Sequence, residues 1–321
     1  MPCYNPQLGL KISDSMSISK YPSRLSLPQN NPGVASVLEY LIVRFPDITP
    51  EIWQQRVADG KVHWHDGSLI TVESPYRPQQ LVYYYREVES EPAIPFAEKI
   101  LFQDENILVA DKPHFLPVTP GGVYIKECLQ NRLRDKTGLD TLQALHRLDR
   151  ATAGLVLFSV NPDTRHLYHD LFNTCKIHKT YQAIARVHSE EHLNSPHFVS
   201  SDLTGKSWVI KNRLVKSEPS FLMKIAEGEP NSHSVIRCLA QSADKALFEL
   251  NPVTGKTHQL RLHMQAIGWP LLHDNYYPTL QPKTADDYSR PLQLLAKELR
   301  FIDPVSRQSR VFTSNTELSL E

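Results

Sequence analysis

The sequence predicts an α+β protein: a mixed, mainly antiparallel sheet preceded by a small α/β module. Three observations predict it. Beyond residue 95, β-like apolar runs recur at 107–110, 155–159, 181–187, 235–239 and 246–250, with helical patterns at 123–137 and 162–173. That irregular spacing suits a largely antiparallel sheet better than regular βαβ units. Residues 34–85 read instead as two helices followed by a hairpin. A chain of 321 residues also exceeds one average domain. The polar, Pro-punctuated stretch at 89–95 supplies the boundary. The expected organisation is a flexible N-terminal arm over 1–33, a small module over 34–90 and a large domain over 96–321.

Each element follows from local pattern. Pro2, Pro6, Pro22, Pro28 and Pro32 stand among Ser, Asn and Gln without apolar periodicity, which marks the arm. Val37, Leu38, Leu41, Ile42 and Phe45 fall on one helical face, closed by Phe45-Pro46. Thr49-Pro50-Glu51 reads as the start of a second helix through Trp53 and Val57, stopped by Gly60. Strands at 61–64 and 68–72 flank the turn signal Asp66-Gly67, and 81–85 is a further short strand. The polar last dozen residues are expected to fray.

Composition narrows the function classes. With 40% hydrophobic residues the chain can bury a core, so global disorder is excluded. No run approaches the roughly 18 apolar residues of a membrane helix, so no membrane partner is expected. The N-terminus lacks the basic-then-apolar layout of a secretory signal, and a cytoplasmic protein is expected. Cys3, Cys128, Cys175 and Cys238 are far apart, which suggests neither a zinc site nor a disulfide framework. Thirty-five basic residues balance thirty-five acids, which argues against global polyanion binding but leaves local basic patches open.

Two segments stand out chemically. His146-Arg147-Leu148-Asp149-Arg150 places a carboxylate between two arginines just before the apolar run at 155–158. Taken alone this is a solvated salt-bridge loop. It also fits a carboxylate nucleophile kept ionised by neighbouring cations. In the second segment, residues 251–264, polar side chains alternate with Leu260, Leu262 and Met264. Read as a strand, that alternation sets His258 on the face opposite Arg261, and Arg261 projects into a cleft. The plainer reading is an edge strand with one polar face.

Together these segments resemble the RluA family of RNA pseudouridine synthases, in HRLDRATAGLVLF (146–158) and GKTHQLRLH (255–263). The likeness extends to residues 108–118, to Lys179-Thr180-Tyr181-Gln182-Ala183 and to the closing Leu294-Leu295-Ala296 with Leu299 and Phe301. The resemblance implies a catalytic domain with a central cleft and an isomerisation of uridine in structured RNA, needing no cofactor and no metal. Asp149 would be the nucleophile, acting through an acylal or a glycal intermediate. Arg261 would pair with it. Tyr181 would stack on the uracil and is the candidate to remove the proton from carbon 5. Arg147, Arg150, His146 and Lys112 would bind substrate phosphates or brace the loop.

The target base would be flipped out of the RNA to reach the pocket. Residues 112–186 carry eleven Lys and Arg against six acids, in keeping with an RNA-facing surface. The module at 34–90 resembles an alpha-L type RNA-binding module. Yet residues 34–95 hold five basic residues against nine acids, and phosphate repels such a surface. Ala153 stands where the family usually has Ser, Lys256 where it has Arg, and His273-Asp274-Asn275-Tyr276-Tyr277 replaces Gly-Asp-x-x-Tyr. The expected substrate is large-subunit rRNA, then tRNA, bound by a monomer with no DNA partner. The alternative from another class is a non-catalytic RNA-binding or ribosome-assembly factor on the same scaffold.

Overall fold

Ser36 opens helix α1 (Val37–Arg44): its hydroxyl accepts the Glu39 N–H at 3.1 Å, while the Glu39 carboxylate accepts the Ala35 N–H at 2.7 Å. This reciprocal pair satisfies donors that every helix start leaves free. Pro50 then sits at the first turn of α2 (Pro50–Ala58). Both helices pack Leu38, Leu41, Trp53 and Val57 against a sheet of β2 (Ser23–Ser26), β4 (Leu81–Tyr84) and β3 (Val62–Trp64), in that order. A separate two-stranded pair joins β1 (Ser17–Ile18) to β5 (Glu87–Val88). The computed structural model describes residues 17–187, 202–242 and 244–320. It divides into two units, residues 1–92 with 121–126 and residues 93–120 with 127–321.

The first sixteen residues of the expected arm lie outside the described residues. In the described part of the arm, β2 pairs with β4 and Leu27 is buried in the module core. The expected strand at 68–72 contracts to a single bridge between His63 and Leu69.

The second unit is built on an eleven-stranded, mainly antiparallel sheet. Its elements in chain order are β6 (Lys99–Gln103), β7 (Ile107–Lys112), α3 (Leu129–Thr137), β8 (Gln143–Ala144), β9 (Ala153–Ser159), α4 (Arg165–Asn173) and β10 (His178–Arg186). There follow β11 (Ser207–Lys216), β12 (Met223–Ala226), β13 (Ser232–Ser242), β14 (Lys245–Pro252), α5 (Gln259–Ala266), β15 (Leu294–Ile302) and β16 (Ser309–Thr313). The main path runs β12-β11-β13-β14-β10-β15-β9-β7-β6, and among the described residues only β15 and β9 pair in parallel. Strands β7 and β9 are buried along their whole length, as central strands covered on both faces are. Its core includes a cluster around Phe248, Leu250 and Met264, another around Leu157, Tyr168 and Phe301, and a smaller one around Leu214, Leu222, Leu262 and Tyr277. No helix among the described residues is long and apolar enough to cross a membrane.

Two expectations are corrected here. The segment read as a strand through Arg261 is helix α5, entered through His258 with φ 54°. Gln259 to Met264 are all buried, so no polar face marks the helical period. The C-terminal stretch expected to fray is docked instead: Ser314 donates to Asp111 at 2.8 Å, and Lys297 donates to the Ser314 and Thr316 carbonyls at 2.9 Å.

Candidate active site

Asp149 lies in the loop between β8 and β9, where a turn brings the Thr152 N–H to the Asp149 carbonyl at 3.0 Å. Side chains from elsewhere hold this loop. Lys112, at the end of β7, donates to the carbonyls of Pro113, Leu116 and Arg150 at 2.9, 2.7 and 3.1 Å. Burial pulls its pKa down to about 7, partly opposed by the Asp149 charge. His114 Nδ1 lies 2.7 Å from the Ala151 carbonyl. His146 Nε2 accepts the Leu157 N–H at 3.0 Å, and its ring stacks on Phe172. Burial drives its pKa down to about 3, so the ring is neutral and its proton sits on Nδ1.

Helix α5 delivers the counter-charge. Arg261 Nη1 donates to Asp149 Oδ2 at 3.3 Å, while its Nε and Nη2 donate to Asp274 at 2.8 and 2.5 Å. Asp274 also accepts the backbone N–H groups of Tyr276 and Tyr277 at 2.8 and 3.1 Å. The guanidinium carbon lies 4.6 Å over the Tyr276 ring. Burial works against the charge on Arg261. The Asp274 hydrogen bonds, with the charges of Asp274 and Asp149, outweigh it and hold the pKa above its ordinary value. Arg261 and Asp274 side chains are 3% and 1% exposed, while Asp149 is 25% exposed. The pair is thus a fixed base, and Asp149 is the member open to a ligand.

His258, one turn before Arg261, is aimed the same way. Its Nε2 lies 3.8 Å from Asp149 Oδ2, and its Nδ1 lies 2.8 Å from the Tyr277 hydroxyl. The helix therefore brings together two residues that the strand reading set on opposite faces. The turn into α5 is locked by Gln259, which donates to Ser234 and the His233 carbonyl and accepts from Thr254 and the Lys256 N–H.

Asp149, His258 and Arg261 line a cavity of about 430 Å³ with Arg147, Lys179 and Tyr181. Burial, with the Asp149 charge behind it, pushes the Tyr181 phenol well above its usual range. Burial lowers Lys179. Of the sequence-derived site residues, Asp149, Tyr181, Arg261, Arg147 and His146 line this cavity. Lys112 and Arg150 do not. Lys112 is buried on three carbonyls, a brace rather than a phosphate contact. Arg150 is engaged bidentately by Asp286, both bonds at 2.7 Å. Sequence reasoning gave no role to His258, Asp274 or Lys179. Asp274 stands in the segment that replaces the family's Gly-Asp-x-x-Tyr, only 13 residues from Arg261, but its partnership with Arg261 is visible only in three dimensions. Among the described residues no group of three His, Cys, Asp or Glu is placed to hold a metal ion.

Residues 106–266, which carry Asp149, Tyr181, His258 and Arg261, match the RNA pseudouridylate synthase family. The chain belongs to that family: it is an RNA pseudouridine synthase of the RluA type, an isomerase. It is 30% identical over 223 residues to the dual-specificity RNA pseudouridine synthase RluA of Vibrio vulnificus, covering 68% of this chain and 83% of that one. It is 24% identical over 246 residues to the mitochondrial tRNA pseudouridine(32) synthase of Saccharomyces cerevisiae, covering 75% of this chain and half of that relative's length. The solved structure of human RNA pseudouridylate synthase domain containing 1 shares the fold. Its TM-score is 0.54 at 21% identity, over 71% of this chain and 86% of that one.

Proposed function

We propose that the enzyme isomerises a flipped uridine in a tRNA or large-subunit rRNA stem-loop, with Asp149 as nucleophile. The observation that carries this reading is the asymmetry at Asp149: Oδ2 is held by Arg261, while Oδ1 takes no hydrogen bond among the described residues and the side chain stays partly open to the cavity. That arrangement suits attack by Oδ1 on the anomeric carbon, with the bond to uracil N1 breaking and its electron pair leaving with the base. The uracil turns, carbon 5 bonds to the sugar carbon, and the Asp149–sugar bond breaks. Carbon 5 then loses its proton while N1 gains one, so no electrons are exchanged with an outside reagent. Arg261 keeps Asp149 ionised and aimed. Tyr181, which lines the cavity with Asp149, would stack on the uracil and is the candidate to take the proton from carbon 5.

For the substrate, support comes from one relative named for tRNA and another named as dual-specificity. The test is pseudouridine mapping of total rRNA and tRNA in cells with and without the gene. Loss of one or a few sites, restored by the wild type but not by Asp149→Asn, is expected and names the RNA. A map that does not change on deletion, or is fully restored by Asp149→Asn, overturns the reading.

A further inference from the structure

The N-terminal module is acidic as a whole, but its charge is not spread evenly. Strands β2, β3 and β4 contain no carboxylate. One face of their sheet carries Leu25, Val82 and Trp64 into the module core. The other carries, in one cross-strand row, Arg24 opposite Tyr83 opposite His63. Tyr83 and His63 have ring centroids 5.4 Å apart and planes within 9° of parallel. His65 adds a third ring 5.8 Å from Tyr83, and Tyr85 a fourth 6.0 Å from His63. None of the four is buried, and Arg24 is exposed with no ion pair among the described residues.

The rings are held in place before anything binds. His63 Nδ1 lies 2.8 Å from the Trp64 carbonyl, which makes it a donor there and fixes the ring plane. His65 Nδ1 lies 3.0 Å from the Tyr83 hydroxyl. A soluble surface has no need of four ring systems tiled over a sheet, and such tiling exposes aromatic area to water.

We propose that this outer sheet face is a second RNA-contact surface, on which unpaired bases stack upon Tyr83 and His63 while Arg24 meets a phosphate. Three points favour RNA as the occupant. Aromatic rings on a sheet offer stacking to any base, whatever the sequence. Arg24 lies in the same row, and the strands are free of the carboxylates that repel phosphate elsewhere in the module. RNA is also what a pseudouridine synthase must hold, so the proposal rests on family membership but not on the roles assigned around Asp149. It resolves the charge conflict: binding here relies on stacking rather than on net positive charge.

The test uses the full chain and fluorescence anisotropy with a labelled oligouridylate of about twelve nucleotides, beside an RNA duplex of equal length. Tyr83→Ser combined with His63→Ser is expected to weaken oligouridylate binding by about tenfold or more, with duplex affinity unchanged. Tyr83→Phe keeps the ring, loses the hydroxyl and is expected to bind as the wild type does. Should the double variant unfold, 4-thiouridine crosslinking of the wild type decides, with crosslinks expected on peptides spanning 62–65 and 81–85. Unchanged affinity in a folded double variant, or crosslinks that avoid both peptides, overturns the proposal and leaves a protein partner as the occupant to pursue. Asp149→Asn, which stops turnover, is expected to bind the oligonucleotide normally, so the two readings fail separately.

Discussion

Arg261 gives two nitrogens to Asp274 at 2.8 and 2.5 Å, and one to Asp149 at 3.3 Å. The tight pair is buried and bidentate, so it fixes the guanidinium. The looser contact leaves Asp149 available to react. On the proposed mechanism, Asp274 would be a positioning residue: it fixes the guanidinium that holds Asp149 ionised and aimed. Asp274→Ala is expected to lower kcat about a hundredfold, because a small misplacement of the catalytic pair is that costly, with KM little changed. It should also destabilise the fold by about 3 kcal/mol by removing the bidentate partner of a buried cation, which keeps only the looser Asp149 contact. Asp274→Glu, which restores the charge, should recover part of kcat. Steady-state kinetics with thermal unfolding checks both, and an unchanged kcat in a folded Asp274→Ala enzyme means Asp274 does not position Arg261. Next to it, His273 has φ 59° where the family usually has Gly, and its Nδ1 lies 3.1 Å from the Pro291 carbonyl. That contact helps hold a conformation unfavourable to a side chain.

Strand β9 and helix α5 show how far sequence reaches at the scale of elements. The apolar run after Asp149 is a strand because Leu155 to Phe158 bury on both sides, which composition alone signals. Its register depends on Gly154. There φ is +109°, and a Cβ would lie 2.3 Å from the Ala296 carbonyl oxygen, across the parallel pairing of β15 and β9. Gly154→Ala is accordingly expected to cost more than about 2 kcal/mol and to reduce turnover, since the Asp149 loop hangs from that strand. Urea unfolding measures the first effect. A midpoint equal to the wild type would contradict the close approach. Helix α5 was illegible for the opposite reason. Arg261 and His263 are buried through specific partners, Asp274 and Asp149 for one, Ser232 and Asn212 for the other. Polarity therefore does not track exposure, and the alternation imitates a strand. The docked C-terminus escaped for a similar reason, because a polar stretch looks loose until Asp111 is seen accepting from Ser314 and the Asn315 N–H. The motifs that named the family were legible because their chemistry is local; the partners of those motifs were not.

Over the whole molecule the charges cancel, thirty-five against thirty-five, yet they are sorted along the chain. Residues 112–186 are basic and residues 34–95 acidic. Several cations in the basic stretch are already engaged within the protein: Lys112 on three carbonyls, Arg150 on Asp286, Arg132 on Glu98 and Glu127, Arg165 on Gln143 and the Thr141 carbonyl. The formal count therefore overstates the charge that phosphate can meet. Arg147, like the exposed Lys126 and Lys176, is not among them. It is exposed at the cavity, beside Asp149, with no ion pair among the described residues. Each phosphate contact contributes a little under one unit to the slope of log K against log salt. Arg147→Gln is expected to weaken binding of structured RNA similarly across sequences and to make that slope shallower by about one. Titrating wild type and variant at several salt concentrations measures both. An identical slope would mean that Arg147 meets no phosphate, and that the neutral chain grips RNA through the shape of its cavity and its stacking rings more than through charge.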